Sequence, residues 1–416
     1  MNDEMIAVLI RGFCLNLTGN PCTVVSKPGE DIPAGAMKIT VSLPYKADAE
    51  KTEKSIAETM AADNFLAKEY DRWKAEHSKE INDGEVLLPS CVALCVNNNK
   101  IYNYWIDCDL DSARKRFLKK NVEPLKINII KTEALIKGDE RAAVVKNKIA
   151  VVTGGAQGIG EEISRNLAAT GALVFIADLN LKGAEKLAEE INAKEGCTAA
   201  LAVEVNVCDE PSVDKMFKFI AETAGGLDLC ISNAGVLKAG SVLEQELCDF
   251  KFVTDINYTG FFVISKFAGR LLGIQHQTAP FWKTDIIQIN SKSGLEGSNK
   301  NGAYAGGKFG GLGLVASFAL ELVKFNIKVN AICPGNFLDG PLWSDPDNGL
   351  FVQYLKTGKV PGAKTAADVR SFYEARVPLK RGCTGKDLVR ALYYIVEQEY
   401  ETGQAVPVTG GQVMLH

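Results

Sequence analysis

The stretch Ile149–Asn180, IAVVTGGAQGIGEEISRNLAATGALVFIADLN, decides the fold. It opens on the short apolar run Ile149–Val152, which reads as a buried strand. The turn TGGAQGIG follows, with Gly154, Gly158 and Gly160 in G-x-x-x-G-x-G spacing and Gln157 and Ile159 between them. Glycines at such a turn let the backbone approach a pyrophosphate, whose charge then sits at a helix N-terminus. The next segment supplies that helix, because Ile159, Ile163 and Leu167 fall on one face. A second strand, Leu173–Ala177, runs into Asp178. A carboxylate at that strand tip can accept hydrogen bonds from ribose hydroxyls and would repel a 2′-phosphate. No arginine follows in LNLKGAEK, where Lys182 is the nearest cation, so NAD is expected in place of NADP.

Downstream of this unit the pattern repeats. Strand candidates at Leu201–Val205, Leu227–Ile231, Ile286–Asn290, Lys328–Ile332 and Ala405–Val408 are mostly separated by segments of helical period. Such alternation predicts an α/β fold, a doubly wound parallel sheet of the Rossmann type, over residues 146–416. Residues 1–145 read as a smaller α+β domain. Strands are expected at Ala7–Leu17 and Met37–Leu43, then a long helix capped by Asp48 with Leu66, Tyr70, Trp73 and His77 on one stripe. A hairpin should join Cys91–Val96 to Ile101–Ile106 through NNNK, and the charged run KGDER should form the linker. This N-terminal part shows no catalytic constellation.

Composition narrows the function classes. The net charge is −4 and the pI about 5.7, which gives no reason to expect nucleic acid. The basic run RKRFLKK (Arg114–Lys120) reads as the solvated face of a short helix. No apolar run approaches the ~20 residues of a membrane span, and the first residues do not read as a secretory signal. The 11 cysteines are scattered and the 3 histidines lie far apart, so no metal site is expected and reduced thiols fit a cytoplasmic protein.

The segment Ile286–Lys308, IIQINSKSGLEGSNKNGAYAGGK, carries the chemistry. Tyr304 and Lys308 are one helical turn apart and Ser291 ends the preceding strand. At this point residues 146–416 resemble the short-chain dehydrogenase/reductase family. The likeness rests on TGGAQGIG, SNAG (Ser232–Gly235), INYTG (Ile256–Gly260), Ser291, YAGGK and CPG (Cys333–Gly335), in that order. It implies Asn257, Ser291, Tyr304 and Lys308 as the catalytic residues. A free phenol has a pKa of about 10, so bringing Tyr304 near neutrality requires roughly 4 kcal/mol of differential stabilisation, which the Lys308 ammonium is expected to supply. Ser291 would hydrogen-bond the reacting oxygen, and Asn257 is implied to anchor a water linking Lys308 to solvent. The resemblance also implies dinucleotide contacts at Asn206, Val207, Asn233, Gly235 and Pro334, besides Tyr304 and Lys308. Three positions depart from the family pattern. Asn206 stands where aspartate is more common, Thr409 likewise, and no threonine follows the Pro-Gly motif in PGNFLDGPLW. Backbone groups are therefore expected to anchor the nicotinamide carboxamide.

Narrower segments, QINSKSG, KFGGLGL, VPLKRGC and VTGGQVM, are similar to the branch that oxidises sorbitol 6-phosphate. A phosphorylated polyol or sugar substrate would give cations near the site a purpose, since a dianion entering it must be compensated. Lys292, directly after Ser291, and Lys238, after the SNAG segment, are the candidates, and Lys380 and Arg381 lie further off. Ser291 and Tyr304 would meet the same substrate. The long segment Leu338–Lys380 is expected to cover it. Rival readings are a dehydrogenase for another polyol, sugar phosphate or hydroxy compound, and a non-catalytic dinucleotide-binding regulator. The second predicts loss of Ser291, Tyr304 or Lys308, yet all are present. With His77 as the one histidine in residues 1–145, a class II aldolase metal site is not expected there. A homo-oligomer, dimer or tetramer, is implied by the resemblance.

Overall fold

The computed structural model describes residues 3–29, 31–41, 49–62, 64–77, 85–96, 100–128 and 138–414. The N-terminal lobe runs α1 (Asp3–Thr18), β1 (Thr23–Gly29), β2 (Met37–Val41), α2 (Ala49–Ala61), α3 (Phe65–His77), β3 (Glu85–Leu88), β4 (Cys91–Val96), β5 (Lys100–Asp107), α4 (Leu110–Lys119) and β6 (Leu125–Asn128). Its main sheet has the order β1-β5-β4-β2, and β3 pairs with β6.

Two expectations for this lobe are corrected. Ala7–Leu17 lies within the helix α1 instead of forming a strand. Ile6, Leu9, Ile10 and Phe13 turn toward the lobe's own core, while Val8 joins the core of the larger sheet. A helix buried on opposite sides loses its polar stripe, and its β-branched run then imitates a strand. The single long helix is two, α2 and α3, broken near Asn64, whose φ of 59° leaves the right-handed helical region. The proposed Asp48 cap, residues 42–43 of the second strand and the Asn97–Asn99 turn lie outside the described residues. Part of KGDER, from Gly138 on, begins a 3₁₀ run, Gly138–Val145. The basic run RKRFLKK falls on α4, which Asp109 caps through the Ser112 amide.

The larger unit follows the predicted alternation closely. Its strands are β7 (Ile149–Thr153), β8 (Leu173–Asp178), β9 (Ala200–Glu204), β10 (Leu229–Ser232), β11 (Thr284–Ile289), β12 (Ile327–Pro334) and β13 (Ala405–Val408). The parallel sheet has the order β13-β12-β11-β10-β7-β8-β9. The chain moves outward from β7 to β9, then restarts on the other side at β10, so a switch point lies between β7 and β10. Ligands in such sheets bind in the crevice beyond the carboxyl ends of the strands at that point. The helices are α5 (Gly158–Ala169), α6 (Leu181–Glu195), α7 (Glu210–Ala224), α8 (Leu247–Thr254), α9 (Gly260–His276), α10 (Gly302–Leu322), α11 (Pro341–Ser344), α12 (Leu350–Lys356), α13 (Ala366–Ala375) and α14 (Gly385–Glu397). One core layer, with α7, α9 and α10, includes Met216, Phe261 and Val315; the opposite layer, with α5, α6 and α14, includes Ile163, Leu187 and Leu392.

The lobe packs through α1 against α7 and α9, at the amino ends of the strands. Arg11 on α1 is fully buried. Its Nη2 donates to Asp228 Oδ2 at 2.7 Å, Nη1 to Gln275 Oε1 at 2.8 Å and Nε to the Cys22 carbonyl at 2.7 Å. Asp228 also accepts from the Ile149 amide (2.8 Å) and from Trp282 Nε1 (2.9 Å). Burial works against this carboxylate, yet Arg11, Lys148 and the Ile149 amide hold its pKa below the usual range.

One further expectation changes. The helical stretch Gly302–Phe325, with mean hydropathy 1.3, is long and apolar enough to cross a membrane by length and composition. Its glycines and alanines leave it apolar without bulk, and it packs against β12.

Removing one member of a buried ion pair strands the other charge. Arg11→Met should therefore lower the unfolding free energy by roughly 3–5 kcal/mol in urea titrations. A loss below about 1 kcal/mol would show that the pair does not hold the lobe to the sheet.

Candidate active site

The Gly-rich turn after β7 is shaped by three groups. Gly154 and Gly158 have φ of 60° and 59°. A Cβ on Gly160 would lie 2.1 Å from the Gly154 carbonyl oxygen and 2.6 Å from Asn233 Nδ2, so no larger residue fits there. Asn233 holds the turn from across the switch point, donating through Nδ2 to the carbonyls of Thr153 and Gly154 at 2.9 Å each. Gln157 caps α5 with backbone only, leaving the first amides of that helix without a side-chain acceptor. Asp178 accepts from the Ala156 amide at 3.0 Å and the Asn180 amide at 2.9 Å, which ties the tip of β8 to the turn.

These groups open onto a cavity of about 620 Å³. It is lined by Gly154, Gln157, Gly158, Ile159, Asp178, Asn206, Val207, Asn233, Gly235 and Pro334 on the dinucleotide side, and by Asn257, Ser291, Lys292, Tyr304 and Lys308 on the other. Gly160 sits behind the turn and Lys238 outside the cavity. The Lys238 ammonium pairs with Asp249 at 2.5 Å. Lys380 donates to the Ala375 carbonyl at 2.8 Å and Arg381 pairs with Asp387, both away from the cavity. Asn206 Oδ1 accepts from the Cys208 amide at 3.0 Å, a turn contact that an aspartate could also make. The residues present fit a nicotinamide dinucleotide: an uncapped helix start for its phosphates, a carboxylate at the ribose position and an apolar wall at Val207.

The reactive end is set by β11, a π-turn and α10. Gln288, near the end of β11, and Asn290, just beyond it, are buried polar residues. Asn290 Oδ1 accepts from the Ser291 amide at 2.8 Å, and its Nδ2 donates to Gln288 Oε1 at 2.7 Å and to the Lys308 carbonyl at 2.9 Å. Asn290 thus fixes Ser291 relative to α10. It was missed as a positioning residue, although two polar residues at the end of an apolar run were the available signal. Asn257 lies on the π-turn Asp255–Thr259 between α8 and α9. Its Nδ2 donates to the carbonyls of Val236 (2.7 Å) and Val253 (2.8 Å). Its Oδ1 is buried without a partner among the described residues. A Cβ on Gly235 would meet that oxygen at 2.7 Å and Lys308 Nζ at 3.7 Å, so the two atoms border one small gap. This gap is the place where the resemblance puts a water linking Lys308 to solvent.

Lys308 is 4% exposed and donates to the Ile289 carbonyl at 2.9 Å. Its Nζ lies 5.6 Å from the Tyr304 ring centroid. Burial pushes the Lys308 pKa down to about 8. Burial also pushes Tyr304 up to about 12, against the pull of its hydrogen bond with Ser291. Burial is the largest influence on the phenol, and the Lys308 ammonium is directed at the Ile289 carbonyl.

Two further residues line the cavity and were not singled out from sequence. Asn336, two places after Pro334, is 8% exposed and its Nδ2 is buried without a partner among the described residues. Lys359 belongs to the covering segment, which carries α11, α12 and α13. The aromatics there build a small core of their own, including Trp343, Phe351 and Tyr354, so packing accounts for much of their presence. Trp343, Tyr354 and Tyr373 nonetheless also face the cavity.

The comparisons agree with this geometry. A family model described as short chain dehydrogenase matches residues 148–344. Sorbitol-6-phosphate 2-dehydrogenase of Escherichia coli K12 is 37% identical over 274 residues, 64% of this chain and 99% of that protein. Galactitol 2-dehydrogenase of Agrobacterium fabrum is 30% identical over 65% of this chain and 99% of that protein. The crystal structure of sorbitol-6-phosphate 2-dehydrogenase from Erwinia amylovora superposes with a TM-score of 0.59 at 38% identity, covering 64% of this chain and all of that one. The chain belongs to the short-chain dehydrogenase/reductase family of oxidoreductases, which work with a nicotinamide dinucleotide.

The depressed lysine gives a pH signature. In the folded protein Lys308 gives up its proton near pH 8, and in the unfolded chain near 10.5. The cost of burying its charge is thus present in full below pH 8 and fades as the pH rises to 10.5. Relative to Lys308→Met, the parent should gain roughly 3 kcal/mol of unfolding free energy between pH 7.5 and 10.5. A difference that stays flat across that window would show that the ammonium is not desolvated.

Proposed function

We propose that the protein is an NAD-dependent dehydrogenase that interconverts sorbitol 6-phosphate and fructose 6-phosphate. One observation carries this reading: Lys292 lines the same cavity as Ser291, Tyr304 and Lys308, so a cation stands beside an acid–base site. Lys292 shares part of its charge with Glu296 at 3.3 Å. The relatives that bear the sorbitol-6-phosphate 2-dehydrogenase name, at 37% and 38% identity, favour the same substrate. For NAD, the support is Asp178 on the cavity wall and Lys182 exposed on α6, outside the lining.

In the oxidative direction Tyr304 takes the proton of the carbinol hydroxyl, while Ser291 hydrogen-bonds the same oxygen as charge develops on it. When bound, an oxidised nicotinamide would supply the hydride acceptor and a positive charge. Lys308 stabilises the phenolate and passes the proton toward the gap beside Asn257 Oδ1. In the reductive direction the same groups run in reverse, with Tyr304 as the acid.

We infer a cytoplasmic homo-oligomer. The free thiols, Cys14 and Cys22 among them, suit a reducing compartment. The outer faces of α9 and α10 expose Phe262 and Leu320 beside a groove that includes Phe318 and Phe325, an apolar surface suited to a second copy.

The test is oxidation of NADH with fructose 6-phosphate, followed by absorbance. Tyr304→Phe should bind NADH as the parent does and lose at least about 10²-fold in kcat; retained turnover would mean another proton donor. Lys292→Ala should raise the KM for fructose 6-phosphate roughly tenfold and leave that for NADH in place. Equal effects on both substrates would remove Lys292 from the phosphosugar site.

A further inference from the structure

The reading above leaves the phosphoryl group with one partly neutralised cation. The covering segment supplies another. Lys359 follows α12, is partly buried and lines the cavity that holds Ser291 and Tyr304. Its Nζ stands 4.0 Å from the centroid of the Tyr354 ring. Among the described residues no carboxylate is paired with it, and the charged groups acting on it are Lys292 and Lys300. Burial first, and then these two cations, lower its pKa to about 8. Cations gathered in one partly desolvated place are an unfavourable arrangement that an entering dianion relieves.

The polar groups around Lys359 fit a phosphorylated polyol. Asn301, at the start of α10, is 5% exposed and lines the cavity. Its Nδ2 donates to Ser298 Oγ at 3.1 Å and to Tyr354 Oη at 3.3 Å. Its Oδ1 is buried with no partner among the described residues, and is free to accept from a hydroxyl. The bond to Tyr354 joins the covering helix to the loop before α10. Tyr354 thereby positions Lys359 over the catalytic end of the cavity.

Resting on the sugar-phosphate reading, we propose that Lys359 is the specificity-determining residue for the phosphoryl group, which it binds together with Lys292 against the Tyr354 ring. Phosphorylated substrates then engage the covering segment directly, and the unphosphorylated ketose does not. Lys359 does not touch the reacting oxygen, so its removal changes recognition and not proton transfer.

The experiment uses the full chain with NADH and compares fructose 6-phosphate with fructose. Lys359→Met should raise the KM for fructose 6-phosphate by roughly 10- to 100-fold, the loss of one charge-assisted contact. The slow reduction of fructose should stay as in the parent. Lys359→Arg should restore most of the phosphosugar KM, and Lys364→Met, an exposed lysine of the same segment, should leave both substrates unaffected. Equal losses for both ketoses, or no change in KM, overturn the assignment. A second measurement is independent of turnover: titration of inorganic phosphate into the NADH-saturated protein by calorimetry. Weaker phosphate binding in Lys359→Met than in the parent supports the site even if neither ketose is reduced, an outcome that would sink only the substrate reading. Equal binding by both proteins, or none by the parent, removes Lys359 from anion recognition.

Discussion

A buried ammonium with no carboxylate paired to it among the described residues is the constraint around which this site is built. Lys308 is held by the Ile289 carbonyl and lies within reach of the Tyr304 ring. Pairing it with an acid would remove the desolvation cost and also the field that a phenolate needs. The protein keeps the charge available by other means. Asn290 ties the Lys308 backbone to Ser291, and the π-turn aims Asn257 Oδ1 at the gap by Gly235. The free protein nevertheless leaves Tyr304 well above neutrality and Lys308 well below its ordinary value. In the free protein burial is thus the largest influence on both members of the pair.

The two ends of the sheet treat charge in opposite ways. At the amino end Arg11 meets Asp228 at 2.7 Å and Lys328 meets Asp285 at 2.9 Å, with all four side chains almost without exposure. Buried pairs of this kind hold geometry, because losing either partner is costly. Even there burial is not always overcome, since Asp285 stays raised despite Lys328. At the carboxyl end Lys308 and Lys359 stand without such partners among the described residues, and Lys292 has only Glu296. Unpaired cations destabilise a folded chain, so their concentration at the switch point is a mark of binding chemistry.

Much of the larger unit was legible because strands of a parallel sheet, covered on both faces, are continuous apolar runs bounded by turns. Every strand from β7 to β13 lies within two residues of its expected position. The motif residues also converge, since Asn257, Ser291, Tyr304 and Lys308 line one cavity. What sequence could not give was burial. The helix α1 reads as a strand because it is apolar toward two cores. The direction in which burial moves Tyr304 and Lys308 is likewise set by the fold and not by their spacing. Lys359 escaped notice because nothing in its local sequence tells which cavity a loop after α12 will face. Lys238 has the opposite history: a sensible place at the end of a strand, and an ion pair with Asp249 that turns it from the cavity.

Among the described residues, the N-terminal lobe adds no side chain to that cavity, whose lining begins at Gly154. Its influence on the site runs through backbone. Arg11 grips Asp228, the residue that leads into β10, and the far end of that short strand is Ser232. Directly beyond it, Asn233 clamps the Gly-rich turn and Gly235 borders the Asn257 gap. Arg11 also binds Gln275 on α9, the helix that continues from the π-turn carrying Asn257. Both elements that place the dinucleotide turn and the proton outlet are thus anchored at their opposite ends by one arginine of the lobe. A lobe that docks on the amino ends of the strands can thus stiffen the site without, among its described residues, entering the cavity.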